Sequence, residues 1–428
     1  MSLTASTRIS RADNGGQVML GELMQGGERP LVWTLDQRKR LVAQPMSGML
    51  LSGCEEVLRL RLASGREVEA TGPQPFMTLD GWCPLGELVI GDRVAVPRRV
   101  PEPLIVHRMP DAEVILLAHM IGDGSCVKRQ PIRYASIDEE NLAAVATAAR
   151  HFGITAIRDE YPAARVVTLR LPAPFHLTHG KRNPIAAWLD ELGLFGKRSY
   201  EKFVPTEISA LSQIQVGLFL RHLWATDGHV SWDARSKIGR LYYASTSRRL
   251  IDDVAHLLLR LGVLSRIKRV RKAGYRDGWQ LFVYGAENQL RYLKHVGVHG
   301  AKDTAAEALI AKLELVRRNT NLDTIPKSVW SDVRAAMTEK SMTQRKFAAA
   351  MNTNFCGSAM WKPSPSRGRL HRAAIILEDR RLHDLASSDV FWDEIVEITS
   401  LGEQDVYDIG VPGANNFIAQ GIAVHGAA

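Results

Sequence analysis

Apolar and polar positions alternate in short runs over residues 5–100. The clearest run, Val57-Leu58-Arg59-Leu60-Arg61-Leu62, turns at Ala63-Ser64-Gly65 and resumes at Glu67-Val68-Glu69-Ala70. A two-residue period sends every second side chain to one face, the pattern of a half-buried strand. Turn formers at Asp13-Asn14-Gly15-Gly16, Asp80-Gly81 and Gly91-Asp92 bound further strands, and Pro97 and Pro101 close the stretch. This predicts an all-β module without an amphipathic helix. Strand patterns return at 395–398, 406–409 and 416–419. A terminal stretch of that length cannot bury a core alone, so residues 388–428 are expected to complete the N-terminal module, with the middle as an insertion.

The middle changes period. Helical spacing appears at 114–121, 140–152, 216–225, 250–261 and 304–317, with strand-like runs at 165–169 and 280–283, which predicts an α/β fold. It also repeats itself. Tyr134-Ala135-Ser136 returns 109 residues later as Tyr243-Ala244-Ser245, and Ile121-Gly122-Asp123-Gly124 is answered 104 residues later by Ala225-Thr226-Asp227-Gly228. Two matches in the same order point to a duplication.

Composition narrows the function classes. The chain has 428 residues, 45% hydrophobic and 24% charged, which excludes wholesale disorder. No apolar run approaches the ~20 residues a membrane helix needs, and the N-terminus has no secretory pattern. The four cysteines form no CxxC pair. That argues against a zinc ribbon or disulfide scaffold and fits the cytoplasm. The net charge of +9 is uneven: residues 5–100 carry +1, 101–381 carry +16 and 382–428 carry −8. A basic block between neutral and acidic ends suits a polyanion such as DNA, bound in a salt-dependent way.

Each repeat opens with an apolar helix ending in Asp-Gly. Ala118 and Gly122 put small side chains on one face, so the two helices can approach closely and bring Asp123 and Asp227 together. Paired carboxylates repel, and a hard divalent cation relieves that repulsion while keeping waters for phosphodiester hydrolysis. These segments resemble the two LAGLIDADG motifs of a single-chain homing endonuclease. The resemblance implies that Asp123 and Asp227 are the Mg²⁺-binding acids of a double-strand DNA endonuclease. Lys202, in Lys202-Phe203-Val204-Pro205, resembles the family's water-polarising lysine. The second copy of that block, Asp323-Thr324-Ile325-Pro326, has Asp where Lys would stand, so no second lysine is assigned. His222 replaces the small residue usual at the helix interface. On the same basis, Arg266, Lys268, Arg269, Arg271 and Lys272 are expected to contact double-stranded DNA from a sheet in the major groove.

The flanks resemble an intein, a self-splicing element whose all-β Hint domain is horseshoe-like. The residues are Ala70-Thr71-Gly72-Pro73-Gln74 with Gly91-Asp92-Arg93-Val94, then Val406-Tyr407-Asp408-Ile409-Gly410-Val411-Pro412-Gly413-Ala414-Asn415-Asn416-Phe417, and Gly421-Ile422-Ala423-Val424-His425. The pattern is similar to inteins of bacterial replicative DNA helicases, which would make host-protein flanks the partners in cis. The resemblance implies five segments: residual flanking residues 1–4, Hint parts 5–100 and 388–428, the endonuclease 101–320 and a basic helical subdomain 321–387. It puts Ala5 at the first nucleophile position. Gly426 stands at the terminal Asn position, or Gly426 is penultimate with Ala427 replacing Asn and Ala428 the nucleophile. Either way a splicing-inactive monomer is expected. Thr71, Asp408 and His425 would assist acyl transfer, while Gln74 and Asn415 replace histidines often found there. Splicing itself needs no cofactor. Met342-Thr343-Gln344-Arg345-Lys346-Phe347 resembles the start of a helix-turn-helix unit, with Thr343 as N-cap. The alternatives are a free-standing DNA endonuclease and a non-splicing Hint autoprocessing protein.

Overall fold

A computed structural model describes residues 2–160, 165–177, 180–316, 319 and 321–427. The chain divides into two compact units, one of residues 104–318 and one of residues 1–103 with 319–428.

In the unit of the chain ends, the alternating run lies in a long strand, Gly48–Leu62, with Val57, Leu60 and Leu62 buried. Arg59 and Arg61 point outward and pair with Glu69 and Glu397. This strand runs antiparallel to Val390–Gly410, whose 21 residues span both strands predicted at 395–398 and 406–409. Bulges between Ile395 and Glu397 and between Ser400 and Glu403 break the alternation that would have marked it as one strand. Leu3–Thr4 pairs with both Glu67–Thr71 and Val390–Gly410, so residues 2–4 are built into the sheet. A second sheet runs in the order Gln17–Met19, Arg8–Ser10, Asn416–Ala419, Ile422–His425, Pro75–Thr78, Gly81–Pro84. The two chain ends are therefore interleaved, with Ile9 opposite Ala419 and Val424 opposite Phe76.

One helix departs from the all-β expectation. Leu20–Gly26 buries only Leu20 and Leu23 and stops at Gly27, whose φ of 64° suits glycine. Two apolar positions in so short a span set up no readable period. The same unit holds helices Val329–Glu339, Gln344–Ala350, Arg367–Leu377 and Arg380–Ser387. Thr343 caps the second as expected, accepting from the Lys346 N–H. It is followed by a single 3-10 turn, Gly357–Trp361, where a helix-turn-helix unit would have its recognition helix. Asp323 accepts from Arg98 Nε at 2.5 Å and Arg367 Nε at 2.7 Å. Arg367 also donates to the carbonyls of Leu385, Ala386 and Val390. The Asp at the second lysine position is thus a clamp between helices and strands.

The unit of residues 104–318 shows the duplication directly. Helix Asp111–Gly122 leads into a sheet ordered Gly124–Ser125, Arg133–Ser136, Val167–Arg170, Ile157–Glu160. Helix Gln213–Asp227 leads into one of the same order: Gly228–Asp233, Ile238–Ser245, Gly278–Val283, Ser265–Val270. Both helices are largely buried because each packs against its partner and the sheet of its own repeat. They touch at Gly122, where an added Cβ would lie 2.1 Å from Thr226 Oγ1.

Candidate active sites

The first site lies at the C-terminal ends of the paired helices. Asp123 follows the last residue of one helix, and Asp227 ends the other. Both carboxylates reach solvent, yet the protein surrounding them disfavours their charged forms. Burial, then the charge of Asp227, pushes Asp123 up to about 6; burial also raises Asp227, against the pull of two lysines. Lys202 is the first of these. Its Nζ donates to the carbonyls of Met120 at 2.9 Å, Gly122 at 3.2 Å and Gly124 at 2.8 Å. The second is Lys302, which sequence reading missed. Its Nζ donates to the carbonyls of Trp224, Ala225 and Thr226 in the other repeat. Each ammonium thus satisfies carbonyls at the negative end of a helix beside an acid. Burial lowers the pKa of both lysines, while Asp123 and Asp227 counter it. With the carbonyls taken by lysines, the carboxylate oxygens are the free donors, a set that fits a hard divalent cation.

The predicted DNA contacts divide between two faces. Strand partners put Arg266 opposite Phe282 and Lys268 opposite Gln280, on the face turned away from buried Leu241 and Leu281. Arg266 lies over the Tyr284 ring at 3.7 Å and Lys268 over Phe282 at 4.9 Å. Arg269 lies on the opposite face, paired to Asp277 and over Trp279, so the strand's two-residue period separates it from its neighbours. Arg271 and Lys272 follow the strand and are exposed. Period-two alternation also places Arg240 and Tyr242, which the sequence reading had not named, on the face with Arg266.

The second site lies in the other unit. Ser2 is fully buried, and its Oγ donates to Asp408 Oδ1 at 2.7 Å. The Ser2 N–H donates to Thr71 Oγ1 at 3.2 Å, and the Thr71 N–H donates to the Ser2 carbonyl at 3.0 Å. Ala5 does not come to this cluster. It sits in the turn after strand Leu3–Thr4, its carbonyl accepting from the Gly21 N–H at 2.9 Å. The residue that the fold delivers to Thr71 and Asp408 is Ser2, three positions earlier than expected. The signal was available: Ser2-Leu3-Thr4 alternates before the turn, and Ser2 carries a hydroxyl where Ala5 has only a methyl.

Gln74 Nε2 donates to the His425 carbonyl at 2.8 Å, and the His425 ring meets Trp82 edge-on at 5.0 Å. Asn415 takes a positive φ of 51° and its carbonyl accepts from the Gly426 N–H at 2.9 Å. Ala427 N–H donates to the Ile409 carbonyl at 2.7 Å, which returns the chain toward Asp408. Thr71, Gln74, Asp408, Asn415, His425, Gly426 and Ala427 thus share one unit, while Met1 and Ala428 lie outside the described residues.

Residues 215–297 match the LAGLIDADG-like domain family. Over 99% of its length the chain is 34% identical to the replicative DNA helicase DnaB of Synechocystis sp., covering 49% of that protein. It spans about half the length of the curated relatives it matches. Among solved structures, the Ssp DnaB mini-intein variant M86 is 30% identical over 24% of this chain and 68% of its own, with a TM-score of 0.22. The homing endonuclease I-DmoI in complex with DNA and Mn is 14% identical over 44% of this chain and 97% of its own, with a TM-score of 0.31. No helix among the described residues is long and apolar enough to cross a membrane.

Proposed function

We propose that this chain is an intein carrying a LAGLIDADG domain and that it cuts double-stranded DNA at its paired acids. The observation that carries this is the doubled arrangement: an acid at each helix end, and a lysine bonded to the carbonyls of that end. A divalent cation held by Asp123 and Asp227 would supply charge to stabilise the phosphorane-like transition state. The residues do the rest. Asp123 and Asp227 orient the attacking water, and Lys202 and Lys302 add positive charge beside the scissile phosphates. Each repeat addresses one strand, with Arg266 and Lys268 on the open sheet face and Arg271 and Lys272 beyond it holding phosphates. Mg²⁺ is the cation we assign. The test is incubation of a DnaB gene lacking the insertion with the protein and Mg²⁺, followed by mapping of the ends. Cleavage should vanish in Asp123→Asn and in Asp227→Asn, with binding kept. Arg271→Ala should weaken binding and flatten its salt dependence. Undiminished double-strand cutting by Asp123→Asn would sink the assignment.

A second reading rests on a different observation, the Ser2–Thr71–Asp408 cluster. The Ser2 Oγ attacks the carbonyl carbon of the preceding residue and passes its proton to Asp408. A C–O bond forms as the C–N bond to Ser2 breaks, and the proton taken up by Asp408 passes to the released amine, whose N–H is held by the Thr71 hydroxyl. This replaces the inactive junction expected from Ala5: the first acyl shift has its nucleophile. Neither Gly426 nor Ala427 has a side-chain amide to cyclise, so the later C-terminal step stays blocked. With a tag joined ahead of Ser2, hydroxylamine should release it through the ester. Release should be lost in Ser2→Ala and unchanged in Ala5→Cys; release that survives Ser2→Ala refutes this role. On these readings the host is a DnaB-type helicase, the setting is the cytoplasm, and the protein acts as a monomer.

A further inference from the structure

One turn before the acids, the two helices meet through polar side chains. His119 is fully buried and His222 nearly so, and His119 Nε2 lies 3.0 Å from His222 Nδ1 in a hydrogen bond. On its other side, His119 Nδ1 is bonded to the hydroxyl of buried Tyr134 at 2.9 Å. The His222 ring lies against His299 with centroids 4.3 Å apart and the planes tilted by 31°. The segment after His299 leads into the helix of Lys302: the Ala301 N–H donates to Asp138 Oδ2 at 2.7 Å, and a Cβ on Gly300 would lie 2.3 Å from that atom. Tyr134, His119, His222 and His299 thus form a line from the sheet of the first repeat, across both helices, to the start of the Lys302 helix.

Apolar packing is non-directional, whereas a hydrogen bond between imidazoles fixes one distance and one direction. Burial pushes His119 down to about 3 and His222 down to about 2, so both rings are neutral. A neutral ring has one N–H, and the line can be satisfied only when donors follow acceptors in order. Buried polar contacts of this kind are best attested as devices that set register.

We propose that His119 and His222 are positioning residues that fix the register of the two helices and so hold Asp123, Asp227 and Lys302 at their working separation. The inference rests on the DNA-cleavage reading and adds to it what aligns the half-sites.

The test uses the full chain and three variants. His222→Ala removes the bond, His222→Asn places an amide where Nδ1 stood, and Tyr134→Phe deletes one hydroxyl from the end of the line. In His222→Ala, kcat for double-strand cutting should fall by about tenfold with KM within about twofold, as for loss of one buried hydrogen bond, and nicked DNA should accumulate. Mn²⁺ affinity, read by calorimetry without DNA, should fall in parallel. His222→Asn should restore both. Tyr134→Phe should give a smaller loss of the same kind, and it carries the test if His222→Ala does not fold. Parent values in His222→Ala overturn the proposal, as does a loss that His222→Asn fails to restore. A parent that binds Mn²⁺ without cutting DNA would end the cleavage reading alone, and the Mn²⁺ affinities of the variants then decide this one. A parent that binds no Mn²⁺ overturns both.

Discussion

Asp123 shows how a single side chain can work against the fold it serves. A carboxyl whose folded pKa is raised binds its proton more tightly in the native state, so stability is lost as pH rises through the interval from about 4 to about 6. Asp123→Asn should therefore raise the melting temperature at pH 7.5 by about 1–3 °C, a modest figure because the group reaches solvent, with no gain at pH 4. A calorimetric scan at the two pH values checks this. An unchanged melting temperature at pH 7.5 would mean that the acid pair carries no strain. Lys302→Met should cost as much cutting as Lys202→Met, since each ammonium serves one helix end; a variant that cuts normally would show that only one lysine matters. Single residues differ in how far the sequence exposes them. Asp123 and Asp227 could be found because they sit in a repeated local motif. Lys302 could not, because Ala301-Lys302-Asp303 has no local pattern and finds its partners 76–78 residues away. Ser2 is an intermediate case: its hydroxyl and the alternation of Ser2-Leu3-Thr4 are legible locally, but its contacts with positions 71 and 408 are not.

The paired helices are the element on which the middle unit turns, and their tightest point is Gly122 against Thr226. An added methyl would meet Thr226 Oγ1, Cβ and Cγ2 at 2.1, 2.4 and 2.6 Å. Gly122→Ala should therefore destabilise the protein by about 1–3 kcal/mol through overpacking. Adding Thr226→Ala should recover part of the loss, because two of the three clashing atoms leave. Thermal denaturation of the single and double variants tests the contact, and purely additive losses would show that the two positions do not meet. Helices of this length declared themselves through their period: those expected at 114–121 and 216–225 are Asp111–Gly122 and Gln213–Asp227. Strand Val390–Gly410 did not, because its bulges reset the alternation and divide one element into apparent pieces. The five basic residues near 266–272 read as one patch in sequence, but the pleat turns Arg269 away from Arg266 and Lys268.

At the scale of the whole molecule, the end unit includes residues 319–387 as well as the terminal strands. Removing residues 104–318 behind a short linker should leave a folded protein with a strand-rich circular dichroism spectrum. Extending the deletion to residue 380 should lower its melting temperature, because Asp323 and Arg367 are both lost from between Arg98 and Val390. An equally stable product would make that clamp dispensable. The sequence suggested that the two ends belong together because neither could bury a core, but their strand order was out of reach, since register is set by partners hundreds of residues apart. That interleaving has a consequence for a chain made from one end. Strand Arg8–Ser10 lies between Gln17–Met19 and Asn416–Ala419. At ribosomal speeds of about 5–20 residues per second, its second neighbour emerges roughly 20–80 seconds later. For that interval the newborn N-terminal strands offer an open edge, the kind that recruits stray strands and holdase chaperones. The middle unit, whose strands among the described residues pair within residues 124–283, has no such wait and can be finished on the ribosome before its host unit can close.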